Sequence, residues 1–69
     1  MEINWTEGFT IRTRPDGNAF VISANREGLL SLAGILAALA EQKPGSHLHL
    51  DQDNSLEDGS VELVLEKTP

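Results

Sequence analysis

The sequence predicts a small α+β fold: one amphipathic helix, over about residues 25–42, packed on a mostly antiparallel sheet of about five short strands. Three observations lead there. One stretch, NREGLLSLAGILAALAEQ, is the only segment long and apolar enough for a full helix. The segments on either side alternate apolar and polar residues over five to seven positions, the period of a half-buried strand. Clusters of turn formers, RPDGN, KPG and QDNSLEDG, separate these segments.

In chain order, residues 2–6 place Ile3 and Trp5 on one face of a first strand, and Glu7-Gly8 is a turn. Residues 9–13 set Phe9 and Ile11 against Thr10 and Arg12. Arg14 to Asn18 is a hairpin signal, with Pro15 fixing φ at the first turn position and Gly17 free to take a left-handed one. Residues 19–24 return, Phe20 and Ile22 opposing Val21 and Ser23. Trp5, Phe9 and Phe20 are the only aromatics, and all three are expected in the core.

Asn25 is a suitable N-cap for the helix, and Glu27 lies near its positive dipole end. Leu29 to Ala40 is nearly all Leu, Ala and Ile, which lose little rotamer freedom in a helix. Lys43, Pro44 and Gly45 end it. The apolar residues cover an arc of roughly 220°, wider than one small sheet requires. Ser31, Gly34 and Ala38 form a small-residue stripe on the remaining face, a candidate oligomer contact. At about 12 residues the apolar run is well short of the roughly 20 that cross a bilayer.

After the helix, residues 46–51 place Leu48 and Leu50 on one face and His47, His49 and Asp51 on the other. Gln52 to Gly59 is a loop, and residues 61–67 form the last strand. A hairpin with Asp51 opposite Ser60 sets Leu50 against Val61, Leu48 against Leu63 and His49 against Glu62. The helix is expected to cover Leu48, Leu50, Val61, Leu63, Leu65, Phe20 and Ile22.

Composition narrows the function classes. Sixty-nine residues are read as one domain, residues 1–69. A core of this size contributes no more than about 3–5 kcal/mol, so oligomerisation is one expected support. With no cysteine, disulfides and thiolate metal sites are excluded. The opening MEINWTEG lacks the basic and apolar regions of a signal peptide, and a cytoplasmic location is expected. The net charge of −6 and the scattered Arg12, Arg14 and Arg26 point away from nucleic acid; no membrane partner is expected either. An acidic surface keeps the chain soluble and attracts basic partners.

His47, His49, Asp51 and Glu62 form a divalent-metal set if they share one sheet face, with His47, His49 and Glu62 as its core. A plain His49–Glu62 ion pair accounts for the same pattern, and no cofactor is expected. Asp51, Asp53, Ser55, Glu57 and Glu62 have the spacing of a calcium loop, but Leu56 stands where that loop requires Gly. The serines lack a nucleophile-elbow context, so no catalytic residue is assigned and the protein is read as a non-enzyme.

The second half resembles the bacterial immunity protein 32 family. The resemblance is carried by Ile22-Ser23-Ala24 leading into Asn25-Arg26-Glu27-Gly28-Leu29, by Pro44-Gly45-Ser46-His47-Leu48-His49, and by Asp51 through Leu56 followed by Gly59-Ser60-Val61-Glu62-Leu63. It implies an α+β fold and a non-catalytic role in neutralising a cognate toxin of a polymorphic toxin system. His47, His49, Asp51, Asp53, Glu57, Asp58 and Glu62 are the partner-binding candidates. A homo-oligomeric structural or regulatory protein, with a homodimer as its simplest form, and a His-dependent metal-binding protein are the alternatives.

Overall fold

A computed structural model describes all of residues 1–69. The element order is β1 (Ile11–Asp16), β2 (Ala19–Ala24), α1 (Arg26–Ala40), β3 (His47–Leu50) and β4 (Leu63–Glu66). The fold is α+β, but the strands form two antiparallel two-stranded sheets, β1-β2 and β3-β4, not one sheet of five. The smallest extent of the chain is 19 Å, enough for one helix layer on one sheet layer.

The first hairpin is tighter than the turn signal suggests. Asp16 pairs with Ala19, so the loop is only Gly17-Asn18, with Gly17 at φ +61°. β1 therefore runs through Pro15 instead of stopping at residue 13. In a two-residue hairpin the pair flanking the loop is hydrogen-bonded and the next is not. Pro15 lies in that next pair, opposite Phe20, and its missing N–H costs no ladder bond. The same alternation turns the main-chain groups of Thr13 and Ile11 outward. There the segment before β4 meets them: Glu57 N–H donates to Ile11 O at 2.9 Å, and Val61 N–H to Thr13 O at 3.2 Å. Thr13 N–H donates to Ser60 Oγ, and Thr13 Oγ1 to Val61 O. Five residues of this segment, Glu57 to Val61, span three of β1, Ile11 to Thr13, so no regular ladder forms; the segment joins the two sheets instead.

In the second hairpin, Leu50 pairs with Leu63, Leu48 with Leu65, His49 with Val64 and His47 with Glu66. The expected register is corrected by two residues. The even shift keeps the leucines on one face, as the hydrophobic pattern requires, and removes Val61 from the ladder.

α1 is capped as expected. Asn25 Oδ1 accepts from Gly28 N–H at 2.7 Å. The last turn has no basic residue of its own, and Lys67 supplies one from beyond β4. Its Nζ donates to Ala40 O at 2.7 Å and Gln42 O at 2.5 Å, satisfying carbonyls that the helix end leaves open.

The N-terminal segment is not a strand. Residues 1–6 make no sheet bonds; Trp5 stacks on Phe9 with ring centroids 4.5 Å apart. What holds the segment is α1. Asn25 Oδ1 also accepts from Thr10 N–H at 2.9 Å, and Asn25 Nδ2 donates to Gly8 O at 2.9 Å. Ser31 Oγ accepts from Thr6 N–H at 2.9 Å while donating to Glu27 O. Between them is Gly28. A Cβ there would stand 2.3 Å from Thr10 O and 3.0 Å from both Ala24 Cβ and Ile11 Cγ1.

The core is built from Ile11, Leu32, Leu50 and Leu56, with Trp5, Phe9, Ala24, Leu63 and Leu65 packed against it. Two expectations about it are corrected. Phe20 and Ile22 are 49% and 42% exposed, because α1 leaves β2 at its end and packs away from the hairpin tip. Leu56, read as part of a polar loop, is 4% exposed.

Gly28 and Gly34 make a paired test of this packing. Gly34→Ala, in open space, should raise stability by about 0.5–1 kcal/mol through helix propensity. Gly28→Ala should lower it by about 1–3 kcal/mol, because a backbone oxygen must move. Urea unfolding followed by circular dichroism measures both.

Candidate functional site

The polar face of the second hairpin carries the residues singled out above. Register puts His47, His49, Val64 and Glu66 on the side opposite the core leucines. Glu62 reaches the same side diagonally. His49 Nδ1 lies 3.1 Å from Glu62 Oε2, so this pair forms although Val64, not Glu62, stands opposite His49. Both side chains are about half exposed, which keeps the pair below about 1 kcal/mol.

The other members of the metal set do not join it. His47 Nδ1 faces Gly45 O at 3.2 Å, and its ring meets His49 edge-on with centroids 5.2 Å apart. Asp51 Oδ1 accepts from Asp53 N–H at 2.9 Å. No three His, Asp or Glu side chains are grouped to hold a metal ion.

Asp51 instead starts a self-bonded turn. Its carbonyl accepts from the N–H groups of Asn54, Ser55 and Leu56. Asn54 Oδ1 accepts from Asp51 N–H and Ser55 Oγ, and Asn54 Nδ2 donates to His49 O. Leu56 then enters the core and fixes the loop to the body. Beyond it, Arg12 Nη1 donates to Asp58 O at 2.8 Å, and Gln52 Oε1 accepts from Gly59 N–H. The loop is thus a pinned feature of the surface. Asp53 and Asp58 are exposed on it, while Asp51 and Glu57 are half-buried. Leu56 and Asn54 were the residues that loop composition concealed; an apolar residue inside a polar run was the available signal.

The three residues of the small-residue stripe differ in exposure. Ser31 is only 1% exposed and is engaged with Thr6, Ala38 is half-buried, and Gly34 alone stands in open space. The buried side of α1 is Gly28, Ser31, Leu32, Ile35 and Leu39. Its outer side is apolar, with Leu29, Leu30 and Leu36 about half exposed. No helix is long and apolar enough to cross a membrane.

A model of the immunity protein 32 family matches residues 19–68. The chain belongs to the immunity protein 32 family. The match begins at the first residue of β2 and takes in α1, β3, the pinned loop and β4. The part of α1 that holds Asn25, Gly28 and Ser31 lies inside the match, whereas β1 and the segment those residues grip lie before it. Comparisons with curated proteins and with solved structures gave no match.

Truncating the two kinds of residue here should separate them. Leu56→Ala should cost about 2–4 kcal/mol, since it opens a core cavity. His49→Ala should cost less than about 1 kcal/mol. Thermal melts at matched protein concentration provide the comparison.

Proposed function

We propose that this chain is a toxin-neutralising immunity protein that acts by binding its toxin and not by catalysis. The observation that carries the reading is the family match over residues 19–68. The distribution of charge supports it and indicates the surface. Asp51, Asp53, Glu57, Asp58, Glu62 and Glu66 contribute six of the 11 acidic residues; no Lys or Arg stands between them in sequence, and Arg12 is the one cation that reaches their loop, at Asp58 O. They lie on the second hairpin and its pinned loop, on a chain of net charge −6. Such a surface steers a basic partner into encounter and disfavours nucleic acid and other acidic proteins.

His47, His49 and Glu62 on the sheet face and Asp53 and Asp58 on the loop are the contacts of this reading. Asp51 and Glu57 are its margin, because each also holds the loop in place: Asp51 through its carboxylate and carbonyl, Glu57 through its main-chain bond to Ile11. A loop held this way loses little further entropy on binding, which favours slow dissociation. The partner is a bacterial protein toxin with a basic contact face, and the cell interior is where neutralisation takes place.

Co-expression with a candidate toxin from a neighbouring reading frame tests the reading. The wild-type chain should restore growth and co-purify with the toxin. Asp53→Lys/Asp58→Lys/Glu62→Lys should slow association by about tenfold or more at low salt and weaken rescue, while leaving the fold unchanged. A wild-type chain that neither rescues growth nor binds the toxin would reject the function. Rescue and association rate both unaffected by the triple variant would move the contact off this surface.

A further inference from the structure

The chain contains two Asp-Gly pairs, Asp16-Gly17 at the tip of the first hairpin and Asp58-Gly59 at the end of the pinned loop. In such a pair the aspartyl side chain is open to attack by its own main chain, because no Cβ on the next residue shields the nitrogen. The two pairs look alike locally. Asp16 and Asp58 are both exposed, and both glycines take a left-handed φ, +61° and +86°. The fold then treats them differently. We propose that Asp16-Gly17 is a site of spontaneous succinimide formation and isoaspartyl conversion, and that Arg12 and Gln52 hold Asp58-Gly59 unreactive.

The difference lies in the peptide unit that must turn. The unit between Asp58 and Gly59 is held at both ends. Its carbonyl accepts from Arg12 Nη1 at 2.8 Å, and its N–H donates to Gln52 Oε1 at 2.9 Å. Swinging the Gly59 nitrogen onto the Asp58 side chain breaks both bonds. A Cβ on Gly59 would also meet Arg12 Nη1 at 3.7 Å, so the approach is lined.

The unit between Asp16 and Gly17 has no such hold. Gly17 N–H donates to nothing, and no atom lies within 4 Å of the place of its absent Cβ. The Asp16 side chain meets only Arg14, at 3.4 Å, with both groups more than half exposed. An exposed pair of this kind is weak and leaves the carboxyl free to turn. The main chain of Asp16 is bonded only through the last pair of the ladder, with Ala19. Ladder ends open most readily. Here the next pair, Pro15–Phe20, carries no ladder bond, so the tip opens without disturbing Arg14–Val21.

The chemistry needs only water. The Gly17 nitrogen attacks Asp16 Cγ, an N–Cγ bond forms, the Cγ–OH bond breaks, and the nitrogen gives up its proton, so one water leaves and a five-membered succinimide closes. One water then adds to either ring carbonyl. Addition at Cγ restores aspartate. Addition at the main-chain carbonyl breaks its bond to the nitrogen, leaving the chain running through Cγ and a free α-carboxylate. The product has the original composition, with one more carbon in the main chain. A two-residue loop fits only one main-chain geometry, so the Asp16–Ala19 pair stays open afterwards. The exposed isoaspartyl carboxylate is the group that S-adenosylmethionine-dependent isoaspartyl methyltransferases esterify. The site precedes residues 19–68 and lies on the other sheet from the acidic hairpin, so the inference stands independently of the toxin reading.

Ageing the folded chain in warm neutral buffer, then mapping peptides, tests this. Isoaspartate is read by methyltransferase-dependent labelling and by resistance to cleavage before aspartate. Conversion at Asp16 should exceed that at Asp58 several-fold. In urea-unfolded chain the two sites should convert at similar rates. Asp16→Glu, which cannot close the five-membered ring, should abolish labelling of the first hairpin. Gln52→Ala should raise conversion at Asp58 several-fold and leave Asp16 unchanged. Equal conversion at the two sites of the folded chain overturns the inference, as does an Asp16 that stays intact while the unfolded chain converts. The same preference in unfolded chain, or an Asp58 indifferent to Gln52→Ala, overturns the protective role of the fold.

Discussion

The rest of the structure depends on the close approach of the N-terminal half of α1 to the segment from Thr6 to Ile11. Asn25, Gly28 and Ser31 recur at three-residue spacing, so they lie in a row on one side of the helix. Each makes a different contribution to the same contact. Asn25 binds Thr10 and Gly8 while capping the helix, Gly28 leaves room for the Thr10 carbonyl, and Ser31 accepts the Thr6 N–H. Without this row, residues 1–10 would have no sheet to join, and Trp5 and Phe9 would have no fixed position from which to cover the core.

The two small sheets pose the complementary problem. Isolated two-stranded hairpins are marginal in water. Here the segment Glu57 to Val61 bonds to the outward groups of Ile11 and Thr13, Leu56 enters the core beside Leu32 and Leu50, and Lys67 closes the carbonyls of the α1 C-terminus. Every buried side-chain polar atom is satisfied. The result is a two-layer body with an acidic, pinned hairpin on one side and an apolar helix face on the other. The first surface suits a basic partner.

Much of this was legible in the sequence. The helix, the turns at Gly8 and Gly17, β2 and the faces of the second hairpin follow from periodicity and turn chemistry, because each is decided by neighbouring residues. The His49–Glu62 contact was also foreseen, though it forms diagonally. What was not legible depends on distant contacts. Residues 2–6 alternate like a strand, yet Thr6 bonds to Ser31 of α1 and Trp5 stacks on Phe9, and neither joins a sheet. Ser31 reads as a surface residue until Thr6 comes to it. Leu56 reads as a loop residue because all seven of its companions in the loop from Gln52 to Gly59 are acids, amides, Ser or Gly. Phe20 reads as core because pattern assigns it a face but not a covering element. The second-hairpin register differs by two, since any even shift satisfies the same hydrophobic alternation.

Native-state hydrogen exchange most directly tests the claim that the grip of α1 on the N-terminal segment belongs to the cooperative fold. The account predicts that the Thr6 and Gly28 amides open with the same free energy and urea dependence as those of Ile35 and Leu39 in the body of α1. A Thr6 amide that exchanges rapidly and without urea dependence, while Ile35 and Leu39 stay protected, would contradict it.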